Sequence, residues 1–386
     1  MTVTGIICEY NPFHLGHKKQ IDEIRRRLGE DCAIVCLMSG NYVQRGMPAL
    51  LDKSFRAKAA ILSGADLVLE LPITVCLSSA EGFSAGGVKI LSPFCDFLCF
   101  GSETADADAL LHTARTLLRP DFSPALRKEL DKGVSFPAAR QAALQSLGCN
   151  ADILRLPNDI LGVEYCKAIL QQGAKTQPLV IHRCGSYHAQ SPDAQEPSAT
   201  ALRGMMCQQE NWRPFTTPEA AAVFTGQPLH TLSAGERAML TTLRTMTDDQ
   251  FAALPYGSEG LWRKFMHACR EQNTLEEIIT ATKSKRYTRT RLDRMAMCAF
   301  LGITAEQLAQ PAPYTRILAF NDTGRAVLRA AQKTGCFINA GTSHESSYYA
   351  LECRAEDLYG LFCSSGIEPP GAQARQRIFY KEGHAQ

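Results

Sequence analysis

The first half of the chain alternates short apolar runs with segments whose apolar residues recur at helical spacing. Gly5 to Cys8 is apolar and predicts a first strand. Lys18 to Leu28 puts Ile21, Ile24 and Leu28 on one face and predicts a helix. Cys32 to Met38 is nearly continuously apolar, as in a parallel strand buried on both faces. Asp52 to Ser63 predicts a helix capped by Asp52, and Leu67 to Leu71 a third strand. Ala80 to Leu91 predicts a helix and Asp96 to Phe100 a fourth strand. This β-α-β-α order predicts an α/β fold built on a doubly wound parallel sheet.

Beyond about residue 105 the pattern turns helical, through Ala138 to Leu147 and Asp159 to Gln171, before Pro178 to His182 returns as a strand. Residues 184 to 200 form a loop rich in Gly, Ser, Pro and Asp. An almost wholly helical stretch then runs to about 310, followed by a strand, Thr315 to Phe320, and a helix, Asp322 to Lys333. These shifts divide the chain into a sheet-bearing region over 1–185, a mainly helical region over 186–310 and a small α/β region over 311–386.

Ligands of doubly wound sheets sit beyond the carboxyl ends of the strands, and three polar motifs fall there: Asn11 to His17, Ser39 to Gly46 and Gly101 to Glu103. In Asn11-Pro12-Phe13-His14-Leu15-Gly16-His17, two imidazoles lie three residues apart in a helix's first turn. Protonated or donating imidazoles at a helix N-terminus hold the β- and γ-phosphates of ATP and stabilise charge moving onto departing pyrophosphate. The same pattern also suits a capped helix start with incidental histidines. Two close histidines suit zinc as well, but no third Cys or His is paired with them by spacing, and no metal site is assigned. The chain has neither a Gly-x4-Gly-Lys-Ser/Thr loop nor a Gly-x-Gly-x-x-Gly turn after the first strand, which sets aside P-loop and dinucleotide sites.

In the second motif Arg45 is suited to clamp a carboxylate or phosphate, and Asn41 and Gln44 to orient a small polar substrate; Lys53 and Arg56 add positive charge just beyond. Gly101 leaves room for the flat face of an adenine or ribose. Asn158 stands near a helix start with its amide available to a ligand, and Arg183 follows a strand; each of these also fits a plain turn or cap. Ser198-Ala199-Thr200-Ala201-Leu202-Arg203 is a hydroxyl-rich helix start with a trailing arginine. Between Lys283 and Arg294, Lys283, Lys285, Arg286, Arg289, Arg291 and Arg294 are basic and Tyr287 lies among them. On a helical wheel Arg286, Tyr287, Arg291 and Arg294 oppose Leu292, Met295 and Ala299, which predicts a solvent-facing stripe for an RNA backbone. A solvated helix face has the same composition.

Composition narrows the setting. A formal charge of +2 over 386 residues means that an acidic partner must meet a local patch. The 15 cysteines include no Cys-x-x-Cys pair, and many sit inside apolar runs, as expected of free thiols in a reducing cytosol. No stretch approaches the ~20 apolar residues that span a bilayer, and the chain enters a strand without a leader pattern. The expectation is a soluble cytoplasmic protein with no membrane contact and no obligate protein partner.

Taken in order, these motifs resemble the tRNA(Met) cytidine acetate ligase family, in the nucleotidyltransferase-like superfamily related to class I aminoacyl-tRNA synthetases. The matching stretches are Gly5 to His17, Ser39 to Gly46, Gly101-Ser102-Glu103, Pro157 to Gly162, Ser198 to Arg203 and Lys285 to Leu292. The resemblance implies an ATP-binding catalytic domain over 1–185, of the HUP-like nucleotidyltransferase class, and a tRNA-binding helix in 186–310. It implies activation of acetate by ATP to acetyl-adenylate and pyrophosphate, then acetylation of N4 of the wobble cytidine in elongator tRNA(Met). ATP contacts map onto Ile7, Cys8, Glu9, Tyr10, Asn11, Pro12, Phe13, His14, Leu15, Gly16, His17, Lys18, Lys19 and Gln20, with Gly101, Asn158, His182 and Arg183. Catalysis falls to His14, His17, Asn41 and Arg45. Magnesium is expected because ATP arrives with it. Where the family carries Tyr-His-Asp, this chain has Tyr187-His188-Ala189. A small-molecule adenylyltransferase acting on a phosphate ester, and a non-catalytic nucleotide-sensing RNA-binding protein, are the competing readings.

Overall fold

The strands are β1 (Val3–Cys8), β2 (Ala33–Ser39), β3 (Tyr42–Val43), β4 (Met47–Pro48), β5 (Leu67–Leu71), β6 (Phe97–Ser102), β7 (Gln177–His182), β8 (Thr315–Asn321), β9 (Phe337–Asn339) and β10 (Phe379–Lys381). They are seen in a computed structural model that describes residues 1–183, 198–284 and 286–382. An eight-stranded sheet runs β10-β8-β5-β2-β1-β6-β7, with β9 beside β8, and β3 and β4 form a separate ribbon. From β5 to β7 every pairing is parallel. The chain winds from β1 to β2 and β5 on one side, then to β6 and β7 on the other. The reversal opens a crevice at the carboxyl end of β1, where such sheets bind ligands.

Continuous apolar patterning accounts for the two-sided burial. All seven residues of β2 are buried. One face carries the helices Ala80–Leu91, Ala107–Leu117 and Pro157–Gln171, packed around Leu37, Leu69, Leu98 and Val163. The other carries Leu15–Leu28, Lys53–Leu62 and Pro218–Phe224, around Ile6, Ile21, Ile24 and Phe224. A third core is helical: Leu232–Thr245, Leu261–Glu271, Arg289–Leu301 and Ser347–Tyr359 enclose Phe265, Leu292, Met295 and Phe362. Tyr42 of β3 is buried in that core, so the second strand-end loop is socketed into the helical region.

The strands of 311–386 join the main sheet. β8 pairs antiparallel with β5, with Glu70 opposite Arg316, and β9 and β10 pair parallel with β8. The physical reason lies in β5: all five of its residues are buried, so it cannot stand as a solvent-facing edge and needs a neighbour. The first helix also starts earlier than periodicity suggests, at Leu15, because His14 caps it.

Candidate functional site

A cleft of about 470 Å³ lies at the carboxyl ends of β1, β2, β6 and β7. From the first motif its walls include Ile7, Cys8, Glu9, Tyr10, Asn11, His14, His17 and Gln20; from the later ones Gln44, Arg45, Gly101, Asn158 and Arg183. Pro12, Phe13, Leu15, Gly16, Lys18, Lys19 and His182, mapped as ATP contacts by sequence, are not among its walls. Phe13 instead belongs to the apolar core, and Lys18 pairs with Asp22 along its own helix.

The two histidines are held by the backbone and by each other. His14 Nδ1 accepts the Gly16 N–H at 3.1 Å, and His17 Nδ1 accepts the His14 N–H at 3.2 Å. With each Nδ1 accepting, a neutral ring carries its proton on Nε2. The rings stack at 3.7 Å, and Tyr10 and Phe13 pack on His17 at 4.7 and 5.5 Å. Gly16 is required by this packing, since a β-carbon there would lie 2.9 Å from His14 Cε1. Gly16 thus makes room for a ring.

Burial disfavours the protonated form of both imidazoles. Burial, with Arg183 and Arg203 nearby, lowers the His14 pKa to about 3. Burial, His14 and Arg183 hold His17 well below the ordinary value. Both rings are therefore neutral donors at physiological pH. His14 Nε2 is buried and has no hydrogen-bond partner among the described residues, so an incoming anion meets an N–H whose desolvation is already complete.

The expectation that the Asn158 amide is available to a ligand is overturned. Glu103 accepts from Asn158 Nδ2 at 2.7 Å and, through its other oxygen, from the Asp159 N–H at 3.0 Å. A carboxylate at this helix N-terminus is favoured by the exposed N–H groups and by the dipole. Asn158 Oδ1 then accepts from Arg183 at 3.4 Å. A β-carbon on Gly101 would meet the aliphatic stem of Arg183 at 3.4 Å, so the glycine seats that arginine. The helix start at Ser198 brings Ser198, Thr200 and Arg203 into the walls, none of which was assigned to the ATP set from sequence. Arg203 donates to the Asn11 carbonyl at 2.7 Å and to Thr200 Oγ1 at 3.0 Å. Their signal was the hydroxyl-rich helix start, which plain capping also explains.

The second motif divides. Glu9 accepts the Gln44 N–H at 3.0 Å, tying it to the first motif, and Arg45 lines the cleft. Asn41 is 2% exposed and turned inward: its Nδ2 donates to Asp52 and Glu356, and its Oδ1 accepts the Lys53 N–H. That saturated amide corrects its assignment as a substrate-orienting group. Lys53 and Arg56 likewise add no charge to the cleft. Lys53 Nζ contacts Glu70 at 2.7 Å and Glu356 at 2.8 Å in the interior. Burial disfavours its charge, but the two carboxylates outweigh burial and raise its pKa. The Arg56 guanidinium donates to the carbonyls of Glu9, Ser39, Gly40 and Leu51, which clamps the first two strand ends together.

The basic segment is only partly helical. Its helix spans Arg289–Leu301 with Thr288 at the cap, so Lys283, Arg286 and Tyr287 precede it. Arg286 and Arg289 reach solvent but pair with Glu259 and Glu276. Arg291 donates to the Tyr256 carbonyl and lies over the Tyr287 ring, and Arg294 lies over Tyr256. The expected uniformly solvent-facing stripe is therefore corrected: Arg291 and Arg294 are half-buried, because Arg291 bonds the turn at Tyr256 and Arg294 stacks on the Tyr256 ring. Lys285 and Tyr187-His188-Ala189 lie outside the described residues.

A family model described as HIGH Nucleotidyl Transferase matches residues 1–372. The tRNA(Met) cytidine acetate ligase of Alkaliphilus metalliredigens is 35% identical over 413 residues, covering 97% of each chain. Its counterpart from Acetivibrio thermocellus is 34% identical, covering 98% of this chain and 99% of that protein. Among solved structures, apo Thermotoga maritima TmcAL superposes with a TM-score of 0.90 at 28% identity, over 99% of this chain and 100% of that one. The same protein bound with alpha-thio ATP superposes with a TM-score of 0.88 over the same shares, also at 28% identity.

Proposed function

The chain belongs to the tRNA(Met) cytidine acetate ligases within the HIGH nucleotidyl transferase family, and from that premise we propose how its residues divide the work. It is an ATP-dependent ligase that activates acetate as acetyl-adenylate and acetylates N4 of C34 in elongator tRNA(Met). The observation that carries the site assignment is the stacked pair His14 and His17. Both present neutral Nε2–H groups at the head of the first helix, in a cleft that also holds Arg45, Arg183 and Arg203.

An acetate oxygen attacks the α-phosphorus of ATP, and the bond from that phosphorus to the bridging oxygen breaks. Pyrophosphate leaves with the electron pair. The imidazole N–H groups and Arg203 face the developing charge, a role that preorganised donors fill without reorganisation. Arg45, which also lines the cleft, suits the acetate carboxylate. The cytidine amine then attacks the acetyl carbon and AMP departs. This amine is a weak nucleophile, so positioning supplies much of the rate. Glu9 is the one carboxylate among the residues that line the cleft. Magnesium would thus come with the triphosphate, with Glu9 available to it, and would neutralise phosphate charge.

No helix among the described residues is long and apolar enough to cross a membrane, and we assign the reaction to the cytoplasm, where tRNA is at hand. Labelled acetate, ATP and tRNA(Met) incubated with the enzyme should give AMP, pyrophosphate and N4-acetylcytidine in equal amounts. Adenylylation of a phosphate ester with no acetyl transfer to tRNA would instead support a small-molecule nucleotidyltransferase.

A further inference from the structure

We propose that His230, Cys363 and Glu368 form a binding site for a divalent transition metal, zinc by the chemistry of the set, which staples the C-terminal turn to the wall of the nucleotide cleft. Their three donor atoms lie within 4.8 Å of one another, although the residues are far apart in sequence. His230 Nε2 and Glu368 Oε2 are already 3.1 Å apart. In a tetrahedral zinc site with bonds of about 2.0–2.3 Å, donors stand roughly 3.3–3.7 Å from one another. The His230–Glu368 pair must open by a few tenths of an ångström, and the three donors, all within 4.8 Å, must draw in to that spacing.

The scaffold beneath them is ordered by the backbone. His230 and Cys363 face each other in an antiparallel bridge, with Ser364 N–H on the Leu229 carbonyl and Thr231 N–H on the Phe362 carbonyl, both at 2.8 Å. The His230 N–H reaches the Leu50 carbonyl at 2.8 Å, and Leu50, His230 and Thr231 all line the cleft. Tyr359 stacks on the imidazole at 4.0 Å, fixing the ring plane.

The second observation is the convergence of unlike donors in a dry setting. The His230 side chain is 0% exposed, and its Nε2 and the Glu368 carboxylate meet the Cys363 thiol, which the Ser365 hydroxyl holds at 3.2 Å. An imidazole, a thiol and a carboxylate together match zinc, whereas oxygen-only sets suit magnesium or calcium. Glu368 is 37% exposed, which leaves a route for water to a fourth position. On binding, the Cys363 thiol gives its proton to solvent and ligates as thiolate.

The test uses the full chain, stripped with a chelator and reconstituted with cobalt(II) or zinc. Bound metal is counted by mass spectrometry, and the thiolate-to-cobalt charge-transfer band is recorded for the parent and for Cys363→Ser. The variant changes one atom and keeps the fold, whereas His230→Gln risks the packing against Tyr359. We expect the parent to hold one more metal equivalent than Cys363→Ser, to show a band that the variant lacks, and to melt higher with zinc only when Cys363 is present. Equal metal content in the two proteins, or no difference in the band, overturns the proposal.

Discussion

A β-carbon on Gly46 would fall 2.5 Å from the backbone nitrogen of Arg294, and Gly46 has a φ of +74°. The loop that carries Arg45 thus lies directly against the helix that carries the arginines, and Glu9 anchors the same loop from the other side. Gly46→Ala must push that helix away and adopt a strained backbone, a change that costs about 1–3 kcal/mol. We expect a lower urea midpoint, and an acetylation rate on tRNA that falls further than pyrophosphate release. A variant as stable and as active as the parent would show that the contact carries nothing.

Much of this was legible in sequence because parallel strands buried on both faces are apolar throughout. The β1–β2–β5–β6 order and the motif at each strand end follow from that pattern. The roles inside the motifs were less legible. Asn41, Lys53 and Arg56 have the composition of a binding site, but Lys53 is taken by Glu70 of β5 and Glu356 of a helix some 300 residues on, Asn41 by Glu356, and Arg56 by the carbonyls of two strand ends. Asn158 is occupied by Glu103 for the same reason. Polar side chains carry no periodicity that reveals which way they point, so long-range pairing decides between a ligand and a buried network.

That network yields a stability prediction. Lys53→Met leaves Glu70 and Glu356 facing each other in the interior without their cation. Removing one partner of a buried charge cluster costs about 3–5 kcal/mol, because the remaining charges stay desolvated. Burial already raises the Glu356 pKa even with Lys53 present. Chemical denaturation should place the variant well below the parent, and Glu356→Gln added to it should recover part of the loss. No recovery would mean that the loss comes from packing alone.

The depressed histidine pKa values give a pH dependence with a definite sign. His14 titrates at about 3 in the folded protein against 6.5 as its ordinary value. The unfolded chain therefore binds a proton that the native state refuses. Stability is complete above about pH 6.5 and is lost as pH falls toward the folded value. At about pH 5.5 the loss from this one imidazole is about 1.4 kcal/mol. Denaturation curves at about pH 7.5 and about pH 5.5 should differ by that much less in His14→Asn than in the parent. An unchanged difference would show that the ring is already protonated in the native state.

Glu103 holds Asn158, and through it Arg183, at the cleft wall, and on the proposed function it is a positioning residue for the nucleotide. Glu103→Gln removes the anion at the helix N-terminus and weakens charge-assisted hydrogen bonds worth about 1.5 kcal/mol or more. The KM for ATP should rise about tenfold, while the KM for tRNA stays put. The split matters: a merely structural loss would lower kcat and shift both constants.

The partial burial of the basic segment separates its solvent-facing arginines, the candidates for RNA contact, from those built into the scaffold. Arg286 is 68% exposed and makes a surface pair with Glu259, and such pairs add little stability. Arg286→Ala should therefore leave acetyl-adenylate formation and the melting temperature as they are. If Arg286 meets a phosphate, tRNA binding weakens and the slope of log affinity against log salt shrinks by about 1. Arg294 differs, because its guanidinium lies 5.1 Å over Tyr256 and its Nε is buried with no partner among the described residues. Arg294→Ala should lower stability along with tRNA binding, since the stem and the stacked ring lose their packing together. Measuring both variants by salt-dependent tRNA binding and by thermal melting distinguishes the roles. An Arg286→Ala protein with the parent's salt slope removes that residue from the tRNA interface, whatever Arg294→Ala does.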